Sequence, residues 1–134
     1  MILLLDTHTA LWMVEGSERL GRRARQACID ARARNELAVP SIVFYEIGSL
    51  SRRGKLRLIV PLRDWRAGVR SLGVRELPLS AEIAIRATEV DNLTGDPIDR
   101  LIVATALVED AVLLTADGSL LAWPGGVRRQ DAQR

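Results

Sequence analysis

Lysine and cysteine are nearly missing from this chain: Lys55 is the sole lysine among nineteen basic residues, and Cys28 is the sole cysteine. One thiol closes no internal disulfide, and without metal-ligand neighbours it builds no zinc site, so disulfide-stapled and zinc-finger scaffolds are excluded. No apolar run reaches the roughly 18 residues that a membrane helix needs. The chain opens directly into Ile2-Leu3-Leu4-Leu5 and an acid, with no basic leader, so we expect neither a signal peptide nor an anchor, and a cytoplasmic location. Also missing are a Gly-x-Ser-x-Gly elbow, a P-loop and a glycine-rich dinucleotide fingerprint, which argues against serine hydrolases and nucleotide-binding enzymes.

What is present suits a folded domain. Of 134 residues, 48% are hydrophobic and 27% charged, values near the globular average, and the length suits one domain over 1–134. The net charge is only +2, but it is carried by arginine. Arginine grips phosphate bidentately and stacks on bases; a GC-rich genome that replaces lysine with arginine would leave the same signature.

Hydrophobic patterning alternates between strand and helix. Residues 2–5 read as a strand buried on both faces, and Asp6-Thr7 caps a helix from Thr9 to Val14. A surface helix is expected over Arg22–Arg34, a strand over Leu37–Val39 closed by Pro40, and a helix capped by Ser41 that runs to about Ser51 before Gly54 stops it. A helix over Pro61–Leu72, a strand over Val74–Leu79 and a helix capped by Ser80 that runs to Leu93 follow. Asp96-Pro97 starts a helix to Glu109 or Asp110. Ala111–Thr115 is a strand, Asp117 caps a turn to Trp123, and a short edge strand near Val127 precedes an arginine-rich tail expected to be mobile. Strands alternating with long helices predict an α/β fold with a parallel sheet covered on both faces, whose ligands bind at the carboxyl ends of the strands.

Four acids stand out against that pattern. Asp6 and Asp117 each follow a strand directly, where either can also serve as a helix cap. Glu46 falls inside the apolar stripe Ile42, Val43, Ile47 and Leu50, and Asp99 shares a face with Ile102, Val103 and Ala106. An unpaired buried carboxylate costs several kcal/mol, so each acid needs a cation, a proton or a donor. A neighbouring arginine such as Arg100 would serve; so would a divalent ion. Oxygen ligands with no histidine or thiolate cluster favour Mg2+, with Mn2+ as a substitute.

At these residues the chain resembles the PIN-domain family, and most closely its VapC-type toxins. The resemblance is carried by Leu3-Leu4-Leu5-Asp6-Thr7-His8, by the Pro40-Ser41 to Glu46 helix with Gly54-Lys55-Leu56, by Asp96-Pro97-Ile98-Asp99-Arg100-Leu101-Ile102-Val103-Ala104-Thr105-Ala106, and by Leu113-Leu114-Thr115-Ala116-Asp117. It departs at Gly118, where the family often has a basic or polar residue. The resemblance implies a PIN-like three-layer α/β/α fold with a short parallel sheet of four or five strands. It implies an endoribonuclease in which Asp6, Glu46, Asp99 and Asp117 hold the metal, with Asp6 and Asp99 the principal ligands and Thr7 and Thr115 supplying hydroxyls to the metal's waters or the phosphate. Its products would end in 5′-phosphate and 3′-hydroxyl. It further implies a VapB-type antitoxin across the active-site groove and a homodimer. Arg52, Arg53 and Lys55 are candidate RNA-backbone contacts, with a solvated face as the alternative. His8 is expected to pack or bond locally, and Trp12, Met13 and Trp65 to fill the core, with the dimer and antitoxin surfaces as the alternative. A binding module without turnover, a phosphatase and a DNA nuclease are the competing readings.

Overall fold

The computed structural model describes residues 1–93 and 95–134. Its scaffold is a five-stranded, wholly parallel sheet with strand order β3-β2-β1-β4-β5, in which β1 is Leu3–Leu5, β2 Leu37–Pro40, β3 Arg75–Leu77, β4 Val112–Thr115 and β5 Arg128–Asp131. The helices between them are α1 (Thr7–Glu15), α2 (Arg22–Ala33), α3 (Ile42–Arg52), α4 (Leu62–Ser71), α5 (Ala81–Thr88), α6 (Pro97–Val108) and α7 (Gly118–Ala122). The expected α/β architecture is therefore the observed one.

Central strands carry the core. Leu4, Leu5, Leu113 and Leu114 are wholly buried in β1 and β4, which pair Leu4 with Leu113 and Leu5 with Leu114. A three- or four-residue strand apolar at every position has no solvent face, as a sheet covered on both sides requires. Strand order matters for function: from β1 the chain moves outward to β2 and β3, then returns to β4 on the other side of β1. The reversal lies between β1 and β4, where diverging connections leave a crevice at the carboxyl ends of the strands.

Local chemistry sets most helix ends. Asp6 accepts from the Thr9 amide at the start of α1, and Gly16 ends that helix in the left-handed region at φ 65°. Ser80 caps α5 through the Ile83 amide, and Asp96 caps α6 through the Ile98 amide with Pro97 next in line. Ser41 departs from expectation. It lies in helical backbone and makes no side-chain cap; its amide donates instead to Leu77 O, which ties α3 to the end of β3.

Two expectations are corrected. Helix α5 ends at Thr88 rather than Leu93. Arg100 removes the need for more helix: its guanidinium donates to the carbonyls of Ala87, Val90 and Leu93, so backbone acceptors past the helix end are satisfied without another turn. The C-terminal tail is not mobile. β5 pairs with β4 from Arg128 to Asp131, Ala132 is wholly buried, and the amides of Gly21 and Arg23 donate to the carbonyls of Ala132 and Arg134 at the start of α2. Helix α2 has no side-chain cap, and these carbonyls take its open N–H groups.

Candidate active site

A cavity of about 410 Å³ opens at the carboxyl ends of β1 and β4, and Asp6, Glu46, Asp99 and Asp117 all line it. Each arrives by a different route. Asp6 is the residue between β1 and α1, Asp117 lies just beyond β4, Glu46 sits on the second turn of α3, and Asp99 is in the first turn of α6. The four acids singled out in the sequence thus converge, although 40 residues or more separate Asp6 from each of the others.

Capping and site membership turn out to be compatible. Asp6 is 8% exposed; its Oδ1 accepts the Thr9 amide at 3.1 Å and its Oδ2 accepts the Thr115 hydroxyl at 2.5 Å. Asp117 Oδ1 accepts the Ser119 amide at 2.8 Å and the Ser119 hydroxyl at 2.6 Å. Each bond holds its carboxylate in one orientation and leaves further lone pairs open to the cavity. Among the described residues none of the four acids forms an ion pair; the salt bridges involve Glu36, Glu76, Asp110 and Asp131. Arg100, the nearest candidate partner in sequence, is committed to the carbonyls after α5 instead.

Negative charge therefore accumulates. Burial, followed by the charges of Asp117, Asp96, Glu46 and Asp6, pushes the Asp99 carboxyl from its ordinary value up to about 7. Crowding of this kind is what a divalent cation relieves. Among the described residues no three acidic, histidine or cysteine side chains are grouped tightly enough to grip an ion by themselves.

The two threonines differ. Thr7 lines the cavity, is 2% exposed, and its hydroxyl has no partner among the described residues. Thr115 is wholly buried, and its one proton goes to Asp6 while its oxygen accepts the Asp117 amide at 3.0 Å. Through these bonds it orients both acids. Arg52, Arg53 and Lys55 do not line the acidic cavity. Arg52 and Arg53 border a separate, larger groove of about 850 Å³, beside Tyr45, Ile59 and Val60.

Three cavity residues were not picked out by sequence reasoning. Asp96, read only as a cap, is a fifth carboxylate on the rim; its position three residues before Asp99 was the available signal. His8 and Trp12 also line the cavity. Trp12 is half-buried and packs against the core, whereas Trp65 is buried and packs edge-on against Phe44 at 5.9 Å. Cys28 is buried, and burial pushes its thiol up to about 11, which leaves it uncharged and inert.

Comparison with known proteins places this geometry. The PIN domain profile matches residues 3–122. Ribonuclease VapC22 of Mycobacterium tuberculosis is 33% identical over 122 residues, which cover 88% of each chain. Among solved structures, the DNA-bound VapBC of Salmonella typhimurium superposes with a TM-score of 0.70 at 17% identity, covering 98% of both chains. The VapBC2 complex of Rickettsia felis, bound to a promoter DNA fragment, gives 0.68 at 18% identity, covering 97% of this chain and 98% of the other.

Proposed function

The chain belongs to the PIN-domain family, and on that footing we propose that it is a magnesium-dependent endoribonuclease, the toxin of a VapBC-type toxin–antitoxin pair. The observation that carries this reading is the convergence of Asp6, Glu46, Asp99 and Asp117 on one cavity, with no arginine or lysine among the described residues paired to any of them. Carboxylates alone would repel a phosphodiester, so a site of this composition needs a cation before it can meet its substrate.

In the proposed mechanism Asp6 and Asp99 would hold magnesium, or manganese in its place, and Glu46 and Asp117 would act through its waters or a second ion. When bound, the ion would supply an activated water and neutralise charge at the phosphate. The chain's own residues do the rest. The Thr115 hydroxyl and the Thr9 amide fix both oxygens of Asp6, and Ser119 fixes Asp117, so the donor set is oriented before substrate arrives. The buried, unpartnered Thr7 hydroxyl at the cavity wall leaves one donor for a bound water. Asp99, with its carboxyl held near neutrality, is ready to exchange a proton for a cation.

Partners follow from the same family membership. The Salmonella and Rickettsia structures are VapBC complexes, and a VapB-type antitoxin is proposed for this chain, together with a homodimer. Exposed Tyr45, Ile59 and Val60 around the larger groove support a protein partner, because apolar patches of this kind mark interaction surfaces.

The test compares cleavage of RNA and of matched DNA by wild type, Asp6→Asn and Asp99→Asn, with magnesium, manganese or chelator. RNA cleavage by wild type alone, lost in chelator and regained with either metal, is expected. Undiminished cleavage by either variant would remove the metal centre, and preference for DNA would replace the substrate.

A further inference from the structure

We propose that His8 and Trp12 form a base-stacking shelf that holds the nucleobase beside the phosphate being cut, and so helps to seat single-stranded RNA in the site. The inference rests on the ribonuclease reading above and adds a substrate contact to it. The two residues stand four apart on α1 and so share one helix face. Their rings lie 6.5 Å apart with planes tilted by 58°. Both line the cavity of the four acids, and Asp6 caps the same helix, so the shelf and the first carboxylate are carried on one rigid element.

Both rings keep accessible surface, although Trp12 also packs against the core. His8 is exposed, and among the described residues its imidazole has no hydrogen-bond partner. Trp12 is half-buried, in contrast to Trp65 and Trp123 at 6% and 7% exposure. Leu50 and Ile102 line the same cavity, so its wall offers uncharged surface as well as carboxylates. A phosphodiester engaged by the acids carries a nucleoside on either side. A neighbouring phosphate would be repelled there, whereas an aromatic base is drawn to the uncharged surface. Bases of single-stranded RNA are free to splay out and stack on aromatic side chains, which a base in a duplex is not.

The experiment measures kcat and KM on one single-stranded RNA oligonucleotide for wild type, Trp12→Leu, Trp12→Phe, His8→Ala and His8→Phe, with the melting temperature of each recorded. Removing a stacking ring should lower kcat/KM by about tenfold or more, chiefly through KM, while the phenylalanine variants keep most of the activity. Equal losses in His8→Phe and His8→Ala would assign His8 to proton transfer or hydrogen bonding and overturn the paired shelf. An abasic ribose placed in turn on each side of the cut bond closes a cycle. At the stacked position its cost in wild type should vanish in Trp12→Leu, and fully additive costs overturn the proposal.

A second readout needs no turnover. With magnesium and the same RNA carrying an uncleavable 3′-methylenephosphonate linkage at the cut bond, wild type should show quenched tryptophan fluorescence, and the quenching should be lost in Trp12→Phe. Quenching that survives in Trp12→Phe overturns the shelf. A Trp12→Leu enzyme that cuts the same sequences at the wild-type rate removes the shelf and leaves the ribonuclease; wild type that leaves RNA intact removes the ribonuclease, whatever the fluorescence shows.

Discussion

The Thr115 hydroxyl donates to Asp6 Oδ2 across 2.5 Å, joining the ends of β4 and β1 through side chains 109 residues apart. Its oxygen also accepts the Asp117 amide. Thr115→Val keeps the shape and deletes both bonds, which leaves a buried carboxylate oxygen and an amide unsatisfied. We expect a stability loss of about 1–3 kcal/mol in urea unfolding, with cleavage reduced beyond what the lost stability explains. Thr115→Ser should recover most of both.

Asp99 gives a pH signature. Its carboxyl titrates near 7 in the folded chain, against an ordinary value of 3.8. Between these values the folded state keeps a proton that the unfolded state has lost, so stability attributable to this group falls as pH rises from about 4 to 7 and is level above that. Asp99→Asn removes the fall. In chelator, the variant should gain on wild type by about 1–2 kcal/mol at pH 8 and nothing near pH 3, a magnitude that allows for solvent screening of a half-buried group. Paired thermal melts across pH check the difference.

Magnesium should act through the same crowding. An ion bound by the folded state alone stabilises it by about 2.7 kcal/mol at one hundred times its dissociation constant. Wild type at pH 8 should therefore melt higher with magnesium than with chelator. In Asp6→Asn and Asp99→Asn that increment should be small, which a melting series over magnesium concentration would reveal without any measurement of activity.

Arg100 offers a test away from the carboxylates' own chemistry. It donates to the carbonyls of Ala87, Val90 and Leu93. A lysine ammonium is a point charge and cannot span acceptors arranged for a planar fork. Arg100→Lys should cost about 1.5–3 kcal/mol and speed amide exchange over residues 87–93 first.

Gly21 is required by a close approach. A Cβ there would overlap the backbone of Gln133 and Arg134, whose segment covers the first turn of α2. Gly21→Ala should cost about 1–3 kcal/mol and increase hydrogen exchange at the Arg23 amide. Unchanged protection at Arg23 would show that the tail holds α2 less firmly than its hydrogen bonds imply.

Much of this was legible in the chain. Leu3-Leu4-Leu5 announced a strand with no solvent face, Asp96-Pro97 a helix start, and Glu46 and Asp99 stood out because they interrupt apolar stripes. Local rules failed where a distant group took over a local task. Ser41 is not a side-chain cap because its amide is held by Leu77, and α5 stops early because Arg100, 12 residues beyond Thr88, supplies donors. The tail looked mobile because arginine-rich composition carries no trace of a neighbouring strand edge; β4 offered one, and β5 filled it.

By itself the sequence determined the alternation of elements, the identity of the four acids and the family, since hydrophobic period, capping chemistry and motif order are properties of neighbours along the chain. Only the tertiary structure decided that Asp96, His8 and Trp12 join those acids, that Thr115 bonds Asp6 across 109 residues, and that Arg52 and Arg53 face another groove. Those outcomes depend on which strand ends meet at the β1–β4 crevice. That meeting is set by packing among segments far apart in the chain, which no local pattern encodes.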